Sequence, residues 1–576
     1  MVRFRVAAIA CLACSACRYW SGNEAILNQN TALEPIKPAS FDDWETGRLA
    51  QPKPGEVPRQ GGEIVAQINV EPPSLNHLVD SDWVASRIVD HHVYESLVDV
   101  DPYDHPNYRI VPGLAERWEV SDDKRLYTFW LRRGVTWHDG VPFTSRDVLA
   151  TFDKVQDPMT KAMHVRAYTS DIESYRALGD YQVEFRFKRP YFLIMDGIFA
   201  DITIQPAHRI AALTGTQYND AASNPLNRQP LGTGPFRFES WLSNQRITLV
   251  RNDAYWGKVA HLERLVFRIV KEATIALELA ERQELDVVYP VRAEQWVRME
   301  RQRFEPFYQR SLFYDANYAW IGYNEKRSFF DDARVRRAMT MLIDRPGIIR
   351  ALQHGLARPT TCHFYAESAA CDPTVQPLPF DPVAASALLD EAGWRVPPGE
   401  SVRRKDGKPF VFTFMIGAGS EDAARMGPLI KETMTRAGVD MRLQRVEWSA
   451  FVKRLRSRDF DACTLLWGGG GSRSDPAQIW HSRSIAGGSN YIGFNSPEAD
   501  AIIDAARAEL DDARRNRMYR EFGRILHNEQ PYTWLYVRPS MTLIHRRVHG
   551  VRTSLTGWQY EDWWVDGGRD QAKAEN

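Results

Sequence analysis

A glycine-rich stretch between Trp467 and Pro476 has the residue types that suit backbone recognition of a ligand. Four consecutive glycines, residues 468–471, follow Trp467, and the nearest acidic residue after them is Asp475. Because glycine lacks a Cβ, another backbone can approach this segment closely. No Lys-Ser or Lys-Thr pair follows the glycines, so the stretch does not match a phosphate-binding loop. The stretch therefore permits close approach of another backbone beside a tryptophan, with Asp475 as the nearest acid.

Two of these features have alternative interpretations. Asp475 followed by Pro476 is also a common helix start, with aspartate as the cap and proline in the first helical position. Trp467, and likewise Trp448, could equally belong to the hydrophobic core, where tryptophan is usually largely buried. The sequence alone leaves both interpretations open.

A second candidate binding edge lies near the start of the folded region. Residues 63–70 alternate in polarity as a strand does, and Glu71, two prolines and Ser74 follow. Proline cannot donate to a strand ladder, so the chain must turn irregularly at this point. Such a turn could face a ligand.

No arrangement of catalytic or metal-binding residues is evident in the sequence. The chain lacks a Gly-x-Ser-x-Gly nucleophile motif and a His-Glu-x-x-His zinc motif. Residues 90–92 (Asp-His-His) and Glu95 are better explained as a half-buried helix than as a metal site. The formal net charge of −1 provides no broad positive field for nucleic acid. We therefore predict no catalytic residue, metal or cofactor and no nucleic-acid partner.

The N-terminus resembles a bacterial lipoprotein signal peptide. Two arginines precede a short apolar stretch, residues 6–13, and small residues then lead to a cysteine. The apolar stretch is too short to span a membrane. We predict a signal peptide over residues 1–17 with Cys17 as the lipidated residue, and Cys14 is the alternative acceptor. Secretion without a lipid is a further alternative.

The remaining cysteines are interpreted from the compartment that export implies. In an oxidising compartment, Cys362 and Cys371 could form a disulfide that closes a small loop, or they could remain free thiols. Cys463 lies within an apolar run and is interpreted as a small buried side chain.

The length of 576 residues predicts two or three lobes, since one hydrophobic core rarely serves so many residues. Residues 18–60 are polar, contain five prolines and are predicted to form a flexible tether. Beyond the tether, strand and helix patterns alternate, which predicts an α/β fold. The patterns predict strands at 126–131, 236–241 and 246–251, and helices at 145–154, 331–344 and 382–392.

Four segments of the chain carry a family resemblance. They are residues 114–155, 231–257 (LGTGPFRFESWLSNQRITLVRNDAYWG), 331–349 (DDARVRRAMTMLIDRPGII) and 490–506 (NYIGFNSPEADAIIDAA). The first resembles the central segment of the family 5 extracellular solute-binding proteins, which include the oligopeptide, dipeptide, nickel and haem receptors of ABC importers. The other three resemble later segments of that family, in the family's order.

The resemblance implies a bilobal α/β periplasmic binding protein of type II, in the three-domain cluster of peptide-binding proteins, with two hinge strands. Domain I would be discontinuous and comprise residues 61–85, 229–328 and 540–576. Domain II would span residues 86–228, and domain III, an α/β lobe, residues 329–539. The two lobes would close over a ligand because the ligand contacts both of them.

The resemblance also implies a function without catalysis. The chain would be a substrate-binding lipoprotein that captures peptides or peptide-like compounds and delivers them to ABC permease subunits with cytoplasmic ATPases. It would be a monomer, anchored by lipid to a membrane of the periplasm or cell envelope. Glycosides, opines, haem or nickel chelates are the alternative ligands, since fold does not fix the ligand. A hydrolase, or a sensory or chaperone role without transport, are the rival functions.

Carried over by motif, the ligand-binding residues fall on both lobes. Backbone contacts to a peptide would involve Glu71, Pro73 and Ser74 on the first lobe, and Trp467, Gly468 and Gly469 on domain III. Trp448 would wall a side-chain pocket, and His164 would face the ligand.

One position departs from the family pattern. Oligopeptide and dipeptide receptors place an aspartate three residues after the tryptophan that corresponds to Trp467, where it pairs with the peptide ammonium group. This chain has Gly470 there. Asp475 could replace the missing acid, or the ligand could lack a conventional free amino terminus.

Overall fold

The computed structural model describes residues 57–80, 82–104, 109–468, 473–552 and 557–566, together with Leu49 and Ser554. The predicted signal peptide at 1–17, with Cys14 and Cys17, lies outside the described residues, as does nearly all of the predicted tether at 18–60. Among the described residues, no helix combines the length and the apolar character needed to cross a membrane.

Three sheets organise the described chain. The first has seven strands in the order Tyr308–Phe313, Ser540–His545, Val287–Val288, Glu63–Ile68, Arg264–Ile269, Arg246–Arg251 and Phe236–Leu242. The second has four antiparallel strands in the order Ala115–Val120, Leu126–Leu131, Gln182–Phe187 and Ile172–Gly179. The third has five strands in the order Asp440–Val446, Val411–Gly417, Ala462–Gly468, Asn317–Tyr323 and Tyr532–Tyr536. We call them the seven-, four- and five-stranded sheets.

Three two-stranded pairs complete the strands. They are Val98–Val100 with Ile110–Pro112, Arg404–Lys405 with Lys408–Pro409, and Val548–His549 with Trp564–Val565.

The helices that precede residue 313 in the sequence are Trp83–Val89, Ser145–Gln156, Met163–Thr169, the π-helix Met195–Phe199, Ala207–Ile210, Gly215–Asn219, the 3₁₀ turn Pro225–Asn227, Ala273–Glu281, Ala293–Arg298 and Arg301–Phe304. Those that follow are Ala333–Met341, Arg345–Gln353, Pro382–Glu391, Glu421–Arg436, Trp448–Ser457, Ala477–Trp480, Ser484–Gly487, Pro497–Ala508, Asp512–Glu529 and the 3₁₀ turn Tyr560–Asp562.

The strand and helix predictions are confirmed to within a few residues, because their signals are local. The helix predicted at 382–392 spans Pro382–Glu391, and the Asp381 side chain caps it by accepting from the backbone N–H groups of the first turn. The half-buried helix predicted across residues 90–95 is wrong. The helix Trp83–Val89 ends before these residues, and His91 adopts a positive φ of 62°.

The strand Asn317–Tyr323, which the predicted domain I range 229–328 includes, pairs along its length with Ala462–Gly468 and also pairs with Tyr532–Tyr536. It therefore belongs to the five-stranded sheet. The chain crosses between the seven- and five-stranded sheets at 314–316 and again at 537–539. The domain ranges themselves stay a prediction.

The structure describes the three cysteines outside the predicted signal peptide. Cys362 and Cys371 form a disulfide that closes a short loop. Cys463 is a free, fully buried thiol in the strand Ala462–Gly468.

Candidate functional site

The turn that follows Glu63–Ile68 is held by side chains of its own lobe. The Glu71 carboxylate accepts from the Trp241 indole N–H at 2.7 Å and from the Asn244 backbone N–H at 3.1 Å. Ser74 is buried, and its hydroxyl donates to the Asn227 carbonyl at 3.2 Å. Both polar side chains thus brace the turn and leave the exposed Pro73 as its most accessible residue.

A buried amide network beneath the turn was not predicted from the sequence. Asn76 is fully buried and donates from Nδ2 to the Asn227 side chain at 2.8 Å, while its Oδ1 accepts from Gln205 at 2.7 Å. The Leu75 backbone N–H donates to the Asn227 carbonyl at 2.8 Å. Because buried amides must be paired, this network fixes the turn against the residues of domain II. Its only sequence signal is an asparagine next to the two prolines.

His164 lies next to the same turn. Its Nε2 is 2.9 Å from the His77 carbonyl oxygen, so Nε2 must carry the hydrogen that this oxygen accepts. The two imidazole rings meet edge to face with centroids 5.5 Å apart. Burial, together with His77, lowers the pKa of His164 to about 4. The side chain is therefore neutral at pH 7 and offers a ligand a dipole, not a charge.

The strand Ala462–Gly468 has an open edge. Asn317–Tyr323 pairs with its whole length on one side. On the other side, among the described residues, Val411–Gly417 pairs only with its first two residues. Beyond them, the backbone groups that point away from Asn317–Tyr323 are available to another extended chain. This edge ends at Gly468, immediately before the predicted contact residues Gly469 and Gly470, which lie outside the described residues.

Trp467 stands on this open strand within an aromatic stack. Its ring is stacked with Trp320, with centroids 5.8 Å apart, and with Tyr491, with centroids 6.2 Å apart. Trp320 in turn lies flat against Tyr532 at 4.0 Å. Trp467 is only partly buried, so it combines a fixed orientation with an accessible surface. Trp467 is therefore not wholly a core residue, and its contact with a ligand stays a prediction.

Trp448 lies beside the end of the neighbouring strand. Glu447 caps its helix by accepting from the Ser449 and Ala450 backbone N–H groups, so Trp448 is the first helical residue. The ring is stacked on Phe451 with centroids 5.6 Å apart and is 59% exposed. A Cβ on Gly417 would lie 3.9 Å from this ring, so Trp448 adjoins the carboxyl end of Val411–Gly417. A tryptophan exposed to this degree is not a core residue.

Asp475 has partners other than the predicted ligand ammonium. Its side chain is 2% exposed and lies 3.4 Å from the Arg507 guanidinium. It accepts from the Tyr191 hydroxyl at 2.9 Å and from the Ala477 backbone N–H at 2.9 Å. The helix Ala477–Trp480 begins one residue later than the capping interpretation predicted, with Pro476 as its cap residue, and Asp475 accepts from its first backbone N–H. Ligand binding by Asp475 stays a prediction, and a ligand would have to compete with these partners.

The structure thus brings Trp448, Trp467 and Gly468 to the same end of two parallel neighbouring strands, Val411–Gly417 and Ala462–Gly468. Carboxyl ends of parallel strands are where α/β proteins bind ligands. Glu71, Pro73 and Ser74 lie in the turn that follows the strand Glu63–Ile68, and His164 lies next to that turn. Sequence reasoning missed His77 and Trp320, which lie in no recognisable motif. It also missed Tyr491, which lies in the quoted segment 490–506 but was not singled out as a site residue.

Comparisons with known proteins agree with this architecture. A family model for bacterial extracellular solute-binding proteins, family 5 Middle, matches residues 109–490. The oligopeptide-binding protein AppA of Bacillus subtilis is 27% identical over 520 residues, which cover 88% of this chain and 92% of that protein. The dipeptide-binding protein of Escherichia coli is 27% identical, over 73% of this chain and 80% of its own length.

A solved structure of AppA from Bacillus subtilis, in complex with a nonapeptide, superposes with a TM-score of 0.78 at 26% identity. It covers 89% of this chain and 100% of that chain. The fold is therefore that of a bilobal periplasmic binding protein.

Proposed function

Because the chain belongs to the bacterial extracellular solute-binding proteins of family 5, we propose that it captures peptides or peptide-like compounds between its lobes and delivers them to an ABC permease. The family consists of substrate-binding receptors, and we propose that this chain likewise performs no catalysis. The observation that carries the proposal is the open backbone edge of Ala462–Gly468, flanked by Trp467 and Trp448.

An extended peptide suits this edge because its own N–H and C=O groups can continue the strand pairing. Such pairing depends little on side-chain identity, so the exposed Trp448 ring would supply apolar contact for varied side chains. Contact with the Pro73 turn on the opposite lobe would then make closure more favourable when a ligand is bound, because only the closed state has both contacts.

The engagement of Asp475 favours ligands that bring no free ammonium group to this place. Its carboxylate already accepts from two donors and pairs with Arg507. A peptide with a blocked amino terminus would bind there without leaving a buried charge unpaired, which costs several kcal/mol. We therefore propose blocked, modified or internally bound peptides as the ligand class.

The proposal extends to the place of the protein in the cell. Membership of the extracellular solute-binding proteins supports a place in the periplasm or cell envelope. We propose that it works as a monomer anchored by a lipid on Cys17, or alternatively Cys14, where the permease and its ATPases can receive the ligand.

Native mass spectrometry of gently purified protein would test the proposed ligand class, because it reports any small molecule that remains bound. We expect a peptide or peptide-like mass. Calorimetry with that compound should then show binding at least about tenfold weaker for Trp467→Ala, since a buried aromatic contact contributes more than 1 kcal/mol. Trp130→Ala removes a partly buried tryptophan from the four-stranded sheet and serves as the matched control.

A glycoside, opine, haem or metal chelate in the mass spectrum would replace the peptide proposal with the alternative ligand class. Unchanged affinity in both Trp448→Ala and Trp467→Ala would show that the open strand edge is not the binding site.

A further inference from the structure

The engagement of Asp475 connects two parts of the molecule that share no strand. Asp475 and Arg507 belong to the part built on the five-stranded sheet. Tyr191 follows the strand Gln182–Phe187 of the four-stranded sheet and donates its hydroxyl hydrogen to Asp475 at 2.9 Å. Nearby, the Phe192 backbone N–H donates to the Arg507 carbonyl at 3.1 Å. A backbone hydrogen bond and a charge-assisted one therefore cross the boundary between the part built on the four-stranded sheet and the part built on the five-stranded sheet.

The Tyr191 contact is sheltered from water. Tyr191 is 2% exposed, and its ring lies under the Arg507 guanidinium, which is 4.8 Å from the ring centroid. Burial and the adjacent Asp475 raise the pKa of Tyr191 well above its ordinary value. The hydroxyl consequently keeps the hydrogen that it donates at all physiological pH values.

A second charged contact crosses the boundary nearby. Arg473 lies 3.4 Å from Asp196, in the π-helix that follows Tyr191, and 2.6 Å from Asp512 in domain III. The Tyr168 hydroxyl also donates to the Gln478 side chain at 3.0 Å. Arg473 thus pairs with one carboxylate from each side of the boundary, Asp196 and Asp512.

These contacts exist only while the two parts lie together. Among the described residues, the four- and five-stranded sheets have no strand in common, and the chain passes from one to the other through the seven-stranded sheet. Opening would leave Asp475 paired with Arg507, because both move with domain III. It would remove the acceptor of Tyr191 and the cation of Asp196. The contacts therefore contribute free energy to the closed arrangement and none to the open one.

We propose that Tyr191, Asp196, Arg473, Asp475 and Arg507 form a latch that stabilises the closed arrangement of the lobes without any contribution from a ligand. This inference goes beyond ligand capture, since the latch residues act on the lobes themselves. Part of the ligand-free protein would already be closed. A ligand would then have to supply less binding free energy to complete closure.

Small-angle X-ray scattering of ligand-stripped protein tests the latch without knowledge of the ligand. The protein is freed of small molecules by unfolding and refolding with its disulfide intact, and native mass spectrometry verifies that it is empty. Ensemble fitting then gives the closed-to-open ratio. Tyr191→Phe keeps the ring and removes the donated hydrogen bond, and we expect the ratio to fall about tenfold.

Tyr175→Phe is the matched control, because its hydroxyl donates to Asp153 at 2.7 Å with both residues inside domain II. It should leave the scattering curve of the wild-type protein unchanged. Arg473→Gln provides a second, independent variant and should also lower the closed-to-open ratio. A fully open wild-type protein, or equal ratios in wild type, Tyr191→Phe and Arg473→Gln, would overturn the latch.

Discussion

The buried ion pair between Asp286 and Arg547 offers a sharp test of how the first lobe is stabilised. The guanidinium donates to both carboxylate oxygens, at 2.7 and 2.8 Å, and the two side chains are 1% and 6% exposed. It also donates to the Glu63 carbonyl at 2.8 Å, and the carboxylate accepts from the Val65 backbone N–H at 2.8 Å. The pair thus ties the carboxyl-terminal segment to the strand that leads into the Glu71 turn.

Arg547→Met keeps most of the aliphatic volume and removes the whole guanidinium. The Asp286 carboxylate then stays buried without the Arg547 guanidinium, and breaking a buried ion pair in this way typically costs about 3–5 kcal/mol of unfolding free energy. Urea titrations followed by tryptophan fluorescence at pH 7 would measure this loss as a shift of the unfolding midpoint. The double variant Arg547→Met/Asp286→Asn removes the stranded charge and should recover part of the loss.

Arg334→Met is the control for the same substitution at an exposed pair, since Arg334 contacts Asp332 at 2.7 Å with 50% of its side chain exposed. Its unfolding midpoint should be close to that of the wild type. A loss of less than about 1 kcal/mol in Arg547→Met, or a double variant less stable than the single one, would refute the argument that an unpaired buried charge dominates.

Three further predictions concern the turn, a histidine and the disulfide. Glu71→Ala should lower the unfolding free energy by about 1–2 kcal/mol relative to Glu71→Gln, which keeps an acceptor for Trp241; equal urea midpoints would contradict this. The pKa of His164 is lowered to about 4, so the unfolded chain takes up a proton at a higher pH than the folded chain does. The free energy of unfolding should therefore fall as the pH drops from 6.5 towards 4. His164→Gln should flatten this decline in thermal melts, and an unchanged slope would refute it. Cys371→Ser opens a disulfide loop with a sequence separation of 9 and should cost about 2–3 kcal/mol in urea unfolding, with reduced wild type matching the variant.

Local signals explain how much of the fold could be predicted. The cap and proline at Asp381 and Pro382, for example, define a helix start within four residues, and the helix begins there. The run of aromatic and apolar residues at 126–131, which Arg132, Arg133 and Gly134 end, likewise predicted a strand with the bounds found, Leu126–Leu131. The sheet to which residues 317–323 belong could not be predicted from local signals. The strand Asn317–Tyr323 is assigned to a domain by its partners, and these lie more than a hundred residues along the chain.

The candidate site shows the same division. The sequence by itself determined that the chain carries a glycine run after Trp467, two prolines after Glu71 and the segments of a family pattern, because each of these is a stretch of consecutive residues. Only the tertiary structure decided that Asp475 faces Tyr191, a residue 284 positions away, and not an open pocket. Residue type fixes what a carboxylate can bind, whereas its actual partner depends on which segments the packed lobes bring within hydrogen-bonding distance.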